Sequence, residues 1–347
     1  MKKIVFTGGG TLGHVMPNLY LIEELKDCEI SYIGSSGIEK DRVKNVVKNY
    51  YEIPAVKLIR GKIFKNLRIP FVLISAITKA KKILKKIDPD LIFSKGGYVS
   101  LPICIAGKML GIPIITHESD YSLGLANKII LKLCDEMCVN FQNLESRSKK
   151  IVYTGPIFSR SFDDNSTNIT GLNLDKEKPT ILIIGGSLGS QTLNNAIYPI
   201  IKDLINYYNI IHITGKGNLN TKSYKNYNAF EMKNDMSNLY NLATIVIGRS
   251  GAGVTAEAYY KHLPMILIPL ENRSTRGDQM QNANYYKEMG VAEIIVEHDL
   301  TPTLLYKKIN SFMQSIDKYQ MNYKKTKQIN GRDIVLDKIH SYMKKRG

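Results

Sequence analysis

The sequence has little of what would place it in several specialised classes of protein. It contains no tryptophan, its aromatic content is only 9%, and a hydrophobic content of 44% is ordinary for an α/β protein. No segment reaches the length of a membrane span, and the apolar run after the first lysines is too short for a signal peptide. Four cysteines form no CxxC pair, which predicts reduced core thiols in a cytosol and no metal site: Cys28, Cys104, Cys134 and Cys138.

Acidic residues are also scarce, and this scarcity points to a polyanionic partner. The 347 residues include 48 Lys or Arg against 31 Asp or Glu, a formal net charge of +17. Residues 60–86 contain nine basic residues and no acid, around the apolar stretch 69–77. From Pro70 onward the pattern fits a helix with a basic C-terminal end. Such a helix either lies on an anionic membrane surface or packs with a solvated lysine face, and the apolar cluster favours the membrane.

Short apolar strands alternate with helical segments along the chain, which predicts parallel sheets with ligand-binding loops at the strands' carboxyl ends. The first strand, residues 3–7, runs into Gly8-Gly9-Gly10-Thr11-Leu12-Gly13-His14. Its glycines satisfy GxGxxG, but the second strand ends in Gly34-Ser35-Ser36 without the acid that binds a ribose. This disfavours NAD or FAD. His14, at the mouth of the turn, is either structural or a base.

The pattern of strand, glycine turn and helix occurs twice, which predicts two domains. Residues 163–179 are polar, and their apolar residues do not recur at helical or strand spacing, as is typical of a linker. Beyond it, the strand at residues 180–184 enters Gly185-Gly186-Ser187-Leu188-Gly189-Ser190, a turn similar to the first. We therefore expect an N-terminal domain at 1–162, a linker at 163–179 and a C-terminal domain at 180–347. Whether the last helix packs back on the first domain is left open.

The stretch from Gly248 to Asn284 carries the strongest chemical signal. Two apolar strands each end in a turn that starts a helix, with Glu257 on the first helix and Asp278-Gln279 at the start of the second. Helix N-termini suit a diphosphate, because their unpaired N–H groups and dipole favour negative charge. A carboxylate and a carboxamide at the same sheet edge suit sugar hydroxyls. The stretch predicts a sugar-nucleotide site; the alternative is an ordinary α/β turn with solvated polar residues.

Six motifs resemble the MurG family of UDP-N-acetylglucosamine transferases, in the style of its low-GC Gram-positive members. They span most of the chain in the family's order: GGGTLGHVMPN (8–18), SKGGYVSLP (94–102), HESDYSLGLANK (117–128), GGSLGSQTLNN (185–195), RSGAGVTAE (249–257) and DQMQNAN (278–284). The resemblance implies a GT-B fold, in which two Rossmann-like domains with parallel sheets face a cleft. It also implies transfer of N-acetylglucosamine from UDP-GlcNAc to the lipid-linked muramoyl-pentapeptide (lipid I to lipid II) in peptidoglycan synthesis. The enzyme would be peripheral, on the cytoplasmic face of the cell membrane.

The resemblance also implies roles for individual residues. Contacts to the donor are implied for Thr11, Leu12, Gly13, Arg160, Ser187, Arg249, Ala252, Gly253, Val254, Thr255, Ala256, Glu257, Asp278 and Gln279. The acceptor side would be lined by Tyr98, Asp120 and Asn127, with His14 and Glu118 as catalytic residues. The sequence departs from the family at Asp120, where the family often has Asn. It departs again at Arg160, which matches the family's arginine only with a one-residue insertion.

The implied reaction inverts the anomeric carbon, so it needs a base for the acceptor hydroxyl and stabilisation of the UDP leaving group. No carboxylate pair suggests a metal clamp, and no cofactor is expected, so the diphosphate is assigned to backbone N–H groups and helix dipoles. His14 is the first choice for the base, because imidazole titrates near neutral pH. Glu118 is the second, either as the base or as a residue that orients His14.

Two other functions compete with this reading. A UDP-sugar epimerase shares the two-domain plan but leaves the basic apolar segment unexplained. A nucleic-acid binder would explain the charge but not Glu257 and Gln279 at helix-start turns. We therefore expect UDP-GlcNAc, lipid I and an anionic membrane surface at residues 60–86 as partners, and no nucleic acid.

Overall fold

The computed structural model divides the chain into two compact units, each built on a parallel sheet. The first unit comprises Met1–Arg160 and the chain from Ile329 onward, and the second comprises Ser161–Gln328. The structure describes residues 1–57, 66–186, 189–219, 224–233, 235–271, 277–326 and 328–345. The division lies two residues before the boundary predicted at 162, and the end of the chain belongs to the first unit.

Seven parallel strands form the sheet of the first unit in the order β3-β2-β1-β4-β5-β6-β7. They are β1 Lys2–Thr7, β2 Cys28–Gly34, β3 Asn49–Glu52, β4 Leu91–Ser94, β5 Ile114–Glu118, β6 Glu136–Val139 and β7 Ile151–Tyr153. Strands β1, β4 and β5 are buried over most or all of their length because helices cover both faces of a parallel sheet. The order reverses between β1 and β4, the position where open α/β sheets bind ligands.

The helices of the first unit follow these strands. They are α1 Met16–Ile22, α2 Glu39–Lys44, α3 Ile69–Ile87, α4 Gly97–Met109, α5 Leu125–Leu133 and the C-terminal α13 Gly331–Lys345. Helix α13 belongs to this unit because Val335, Ile339 and Met343 are buried in the same apolar cluster as Phe6 and Phe93 of the central strands. The cluster thus draws its residues from both ends of the sequence.

Helix α3 has the extent predicted from Pro70 onward. Its inner face buries Ala76, Ala80, Leu84 and Ile87, which recur at helical spacing and pack against the first sheet. The helix ends at Ile87. The C-cap residue, Asp88, donates its N–H to Leu84 O at 2.8 Å, and its left-handed backbone (φ 50°) turns the chain out of the helix. Phe71 and Ile74 remain 77% and 63% exposed on the outer face. Within the described residues, no helix is both long and apolar enough to span a bilayer.

Six parallel strands form the sheet of the second unit in the order β10-β9-β8-β11-β12-β13. They are β8 Thr180–Ile184, β9 Asn209–Ile213, β10 Tyr227–Phe230, β11 Ile245–Gly248, β12 Met265–Leu267 and β13 Ala292–Ile294. The helices are α6 Gln191–Ile197, α7 Ile201–Leu204, α8 Met236–Leu242, α9 Ala252–Tyr260, α10 Asp278–Glu288, α11 Pro302–Gln314 and α12 Ile316–Tyr323. The strand order reverses between β8 and β11.

The polar stretch predicted as a linker, residues 163–179, belongs to the second unit. Asparagine side chains bind its backbone: Asn238 Oδ1 accepts from Asn168 N at 2.7 Å, and Asn228 Oδ1 accepts from Asn173 N at 2.8 Å. Both asparagines donate in return, to Asn168 O at 2.8 Å and Asn173 O at 3.0 Å. A stretch without apolar periodicity is therefore held on the unit by reciprocal amide bonds, which sequence periodicity does not report.

Candidate functional site

The carboxyl ends of β1 and β4 place His14 and Tyr98 beside the same glycine turn. Gly10, with φ 82°, turns the chain so that a short 3-10 helix spans Leu12–His14. The Tyr98 ring lies so close that a Cβ on Gly10 would be 2.7 Å from it, and a Cβ on Gly97 would be 3.3 Å from the His14 imidazole. Only glycine fits these approaches. Burial first, and Glu39 second, raise the pKa of Tyr98, which favours its neutral phenol form.

The His14 imidazole is half-buried and oriented by its own turn. Its Nδ1 lies 3.1 Å from Gly9 O and 3.3 Å from Thr11 Oγ1. Thr11 and Gly13 are exposed and Leu12 is half-buried, so the first turn of this segment faces outward. The geometry orients the ring, as a base requires.

Glu118 and Asn127 also lie beside the glycines of α4. A Cβ on Gly96 would come within 2.3 Å of the Asn127 carboxamide. The Glu118 carboxylate accepts four hydrogen bonds: from the backbone N–H groups of Ser119 (2.9 Å), Asp120 (3.1 Å) and Gly124 (3.0 Å), and from Asn127 Nδ2 (2.9 Å). The carboxylate is buried, and these donors fill its acceptor capacity. These four contacts hold the loop after β5, and none of them involves His14.

Lys95, which the sequence did not single out, occupies the centre of this region. The side chain is 1% exposed, and its Nζ donates to Ser119 Oγ at 2.6 Å. Burial lowers the pKa of Lys95 to about 8, although Glu118 and Asp120 oppose the shift. Burial also lowers the pKa of the neighbouring His117. The lysine follows a buried strand in the SKGGY motif, and that position was the available signal.

Glu39 is a second residue that the sequence did not single out. Its carboxylate is fully buried against the first glycine turn, where it accepts from Gly10 N at 3.2 Å and from Ser35 N at 2.8 Å. The acid missing from the end of β2 is therefore supplied from α2, but it bonds to the turn itself. The Ser36-x-x-Glu39 spacing at a helix start was the signal that could have found it.

In the second unit, Arg249 follows β11 and is buried in protein contacts. Its Nε donates to Ser190 Oγ at 3.0 Å, its Nη1 donates to Ile268 O at 3.2 Å, and its Nη2 pairs with Glu297. The guanidinium therefore ties together the loops that follow β8, β11, β12 and β13. These bonds make Arg249 a clamp on four loops at one edge of the sheet, and its contact with the donor stays a prediction.

The predicted phosphate-binding helix start lies directly after this clamp. Helix α9 begins at Ala252 with no side-chain cap on its N-terminal N–H groups. Among the residues that the structure describes, nothing lies within 4 Å of a Cβ built on Gly251 or Gly253, so these two positions border open space. Val254 is half-buried, while Thr255 and Ala256 are buried, with Thr255 Oγ1 donating to Gly251 O at 3.1 Å.

Glu257 lies one turn further along α9, where it is half-buried and contacts Tyr240 of α8. The Tyr240 hydroxyl donates to Glu257 Oε2 at 2.9 Å. Burial raises the pKa of Glu257 to about 7, and the bond from Tyr240 only partly opposes this shift. A carboxyl group with such a pKa exchanges its proton near neutral pH, which is typical of functional sites.

The turns after β11 and β12 are joined by hydrogen bonds through Ser250. Ser250 Oγ donates to Gln279 O at 2.8 Å, and Asn282 Nδ2 donates to Ser250 O at 3.2 Å. Gln279 Oε1 accepts from Leu270 N at 2.9 Å, whereas its amide nitrogen has no bond within the described residues. Asp278 is the first residue of α10.

Within its described residues, the structure does not bring Arg160 into contact with the other candidate residues, and it does not describe Ser187. Arg160 is 70% exposed and makes a bidentate pair with Glu24, with Nε–Oε1 and Nη2–Oε2 distances of 2.6 Å. In the described part of the chain its contacts go to no other candidate site residue. Ser187 lies outside the described residues. The structure thus gives two groups of site residues: His14, Tyr98, Glu118, Asp120 and Asn127 in the first unit, and residues 249–257 with Gln279 in the second.

Comparison with known proteins identifies the family of this chain. Residues 4–139 match the glycosyltransferase family 28 N-terminal domain, and residues 180–336 match the glycosyltransferase family 28 C-terminal domain. A Clostridium botulinum relative named UDP-N-acetylglucosamine–N-acetylmuramyl-(pentapeptide) pyrophosphoryl-undecaprenol N-acetylglucosamine transferase is 40% identical, over 99% of this chain and 100% of its own. The chain belongs to glycosyltransferase family 28, in its MurG group.

Solved structures of similar fold agree with this membership. Family 28 includes the Acinetobacter baumannii MurG crystal structure, which matches with a TM-score of 0.76 and 25% identity, over 98% of this chain and 100% of that one. A Neisseria meningitidis UDP-GlcNAc 2-epimerase, solved bound to UDP-GlcNAc, matches with a TM-score of 0.66 at 12% identity, over 98% of this chain and 100% of the other. The second likeness shows the fold alone. The predicted GT-B class and the predicted glycosyltransferase family are confirmed.

Proposed function

We propose that this chain transfers N-acetylglucosamine from UDP-GlcNAc to a hydroxyl of a lipid-linked muramoyl-pentapeptide, with inversion at the anomeric carbon. The observation that carries the proposal is the open, uncapped start of α9 with Glu257 one turn further on. The name of the Clostridium botulinum relative, at 40% identity over both chains, supports the choice of donor and acceptor.

The second unit would hold the donor. The N–H groups at the start of α9 face open space and favour the diphosphate, whose charge they would also stabilise as UDP leaves. Glu257 Oε2 is taken by Tyr240, while Oε1 makes no hydrogen bond within the described residues and would accept from a sugar hydroxyl. Gln279, with its oxygen on Leu270 N, would donate from its amide nitrogen.

The first unit would hold the acceptor and the base. Glu118 already accepts four hydrogen bonds, so binding a substrate proton would break the loop contacts that it makes. His14 has an oriented ring at the ligand-binding reversal of the sheet and is the better base. It would take the proton of the attacking hydroxyl while the bond from the anomeric carbon to the diphosphate breaks. Tyr98, Asp120 and Asn127 would line the acceptor.

Helix α3 would bring the first unit to an anionic membrane surface, at the cytoplasmic face, where a lipid-linked acceptor resides. Phe71 and Ile74 are exposed near its start, and Lys82, Lys85 and Lys86 are exposed near its end. An exposed apolar pair followed by a basic helix end is the pattern of an interfacial helix. Of the basic segment 60–86, residues 60–65 lie outside the described residues.

Calorimetry combined with a coupled assay tests the proposal. UDP-GlcNAc and UDP should bind, with UDP-glucose weaker than UDP-GlcNAc. UDP should be released from UDP-GlcNAc only when a lipid-linked muramoyl acceptor is present. Release of a 2-epimerised sugar without an acceptor would favour an epimerase, and binding of nucleic acid without UDP-sugar turnover would favour the remaining alternative.

A further inference from the structure

One peptide unit in the first glycine turn is hydrogen-bonded at both ends. Its N–H, that of Gly10, donates to Glu39 Oε2 at 3.2 Å. Its carbonyl, that of Gly9, lies 3.1 Å from His14 Nδ1. The carboxylate and the imidazole are therefore connected through a single amide group, although they come from different elements, α2 and the 3-10 helix before α1.

The contact with Gly9 O determines which nitrogen of His14 carries the proton. A carbonyl oxygen can only accept, so Nδ1 must be the protonated nitrogen when the bond is formed. Nε2 is then the nitrogen with the basic lone pair. The second contact of Nδ1, with Thr11 Oγ1 at 3.3 Å, is compatible with this tautomer because a hydroxyl oxygen also accepts.

Hydrogen-bond donors surround the side chain of Glu39. Both carboxylate oxygens accept backbone N–H groups, Oε1 from Ser35 and Oε2 from Gly10. The Ser35 hydroxyl accepts from Gly37 N at 3.1 Å, so its own hydrogen points to Glu39 Oε1. A Cβ on Gly9 would lie 2.5 Å from the carboxyl group, so the turn is shaped around it. These donors and the close glycine fix the position of the Glu39 carboxyl group against the turn.

We propose that Glu39 is a positioning residue that acts on His14 through the Gly9–Gly10 peptide. A carboxylate on the N–H polarises the amide and makes its carbonyl a stronger acceptor, as hydrogen bonds in a chain reinforce one another. The stronger carbonyl holds the Nδ1–H tautomer and raises the proton affinity of Nε2. The coupling stands on the geometry alone; its value for catalysis rests on the proposed function, in which His14 takes the acceptor proton.

Other titratable groups border the same turn and must be separated from Glu39. Tyr98, from α4, is neutral in the relevant range because its pKa is raised. Lys95, from the end of β4, approaches Gly8 with its Cβ and donates its ammonium group to Ser119 Oγ. The pKa of Lys95 is about 8, so Lys95 loses its proton at a higher pH than an ordinary histidine does. Its titration therefore does not fall in the acid limb, the low-pH arm of the activity profile. The acid limb therefore reports on the Glu39–His14 pair.

The test is the Glu39→Gln variant, measured by histidine-labelled ¹⁵N NMR and by the pH profile of kcat/KM. Loss of the negative charge should lower the pKa of His14 by roughly 0.5 to 1 unit, because the charge acts over several ångströms. The acid limb should move to lower pH by the same amount, and kcat should fall about 3- to 10-fold. The His14→Gln variant assigns the resonance. Glu52→Gln, on neighbouring β3 and paired with Lys40, removes an equal charge without touching the turn and should change neither readout.

Each outcome has a defined meaning. An unchanged His14 pKa and tautomer in folded Glu39→Gln would overturn the proposal. A shifted His14 pKa with an unmoved acid limb would support the coupling and reject His14 as the base. If Glu39→Gln does not fold, Glu39→Asp serves in its place, because it keeps the charge but withdraws it from Gly10 N; an unchanged His14 pKa in that variant would also overturn the proposal.

Discussion

The hydroxyl of Tyr240 donates a 2.9 Å hydrogen bond to Oε2 of Glu257, and this bond joins α8 to the second turn of α9. Despite the donor, burial raises the pKa of the carboxyl group to about 7. Above pH 7 the protein therefore holds an ionised carboxylate here at some cost to its stability. Carboxyl groups with such a raised pKa are typical of functional sites, which indicates that Glu257 acts on a bound ligand.

This cost predicts that Glu257→Gln stabilises the protein at pH 8. The folded pKa, about 7, lies above the ordinary value of 4.5, so the folded state binds more protons between these values. The stability from this group is complete below pH 4.5 and is lost as the pH rises through 7. The amide should therefore raise the free energy of unfolding at pH 8 by about 1–3 kcal/mol, and the gain should vanish near pH 4.

Urea denaturation at both pH values measures this difference. Glu288→Gln, an exposed change on α10 of the same unit, is the control and should show no gain at either pH. If Glu257→Gln and the unmodified chain have equal free energies of unfolding at pH 8, burial of the ionised carboxylate does not destabilise the protein.

Glu257→Ala should weaken recognition of the sugar and leave recognition of the nucleotide intact. Losing one charged hydrogen bond costs about 1.5–3 kcal/mol, or roughly 10- to 150-fold in affinity for UDP-GlcNAc. Calorimetry with UDP-GlcNAc and with UDP separates the two effects, since UDP lacks the sugar. If both ligands lose affinity equally, Glu257 does not bind the sugar.

His14→Ala should lower kcat by about 100-fold or more, with little change in donor affinity, because a general base acts in the transition state. The acid limb of the pH profile should disappear together with the activity. Donor binding by calorimetry shows whether the second unit is intact. A slow His14→Gln variant that retains the acid limb would assign the base to another group or to solvent.

Several elements could be predicted from the sequence because their patterns are local. The glycine turns, helix α3 and the strands that enter the site have the expected type, with boundaries shifted by a few residues. Strands β3, β6, β7 and β10 were not predicted, because they are three or four residues long and partly polar. Strand identity there depends on pairing with distant neighbours.

Candidate site residues that belong to a recognisable motif could be predicted from the sequence. Those that reach the site through a tertiary contact were missed. The meeting of Ser250 with Gln279 follows from two adjacent strand ends. The burial of Lys95, and the reach of Glu39 from α2 to Gly10, depend on packing between elements that are far apart in sequence. Similarly, the motif that contains Arg249 does not reveal its contacts with Ser190, Ile268 and Glu297, and its contact with the donor stays a prediction.

Glu118→Ala should destabilise the first unit, because four donors lose one shared acceptor. We expect a loss of about 3–4 kcal/mol in the free energy of unfolding. Glu118→Gln keeps the shape and an acceptor oxygen, so it should lose less and remain folded. Its pH profile should retain the acid limb. Loss of that limb in folded Glu118→Gln would show that Glu118, not His14, is the base.

The last prediction concerns attachment of α3 to an anionic membrane. Two exposed apolar side chains, Phe71 and Ile74, precede three exposed lysines, Lys82, Lys85 and Lys86. Each lysine near an anionic surface contributes about 1 kcal/mol, and each apolar side chain contributes about 1.5–3 kcal/mol when fully buried. The two contributions are therefore comparable, and salt should release the protein only in part.

Replacing the three α3 lysines by glutamine should weaken binding to vesicles rich in anionic lipid and slow turnover of a vesicle-embedded acceptor. Replacing Phe71 and Ile74 by serine should weaken binding at high salt as well. A matched control replaces three exposed lysines of the second unit, Lys202, Lys307 and Lys318, for the same loss of charge. Turnover of a short-chain soluble acceptor should be nearly unchanged in all variants, because the proposed chemistry uses other residues. Equal losses from the control lysines would reduce the effect to net charge, and equal losses on both acceptors would place α3 in the reaction and not at the membrane.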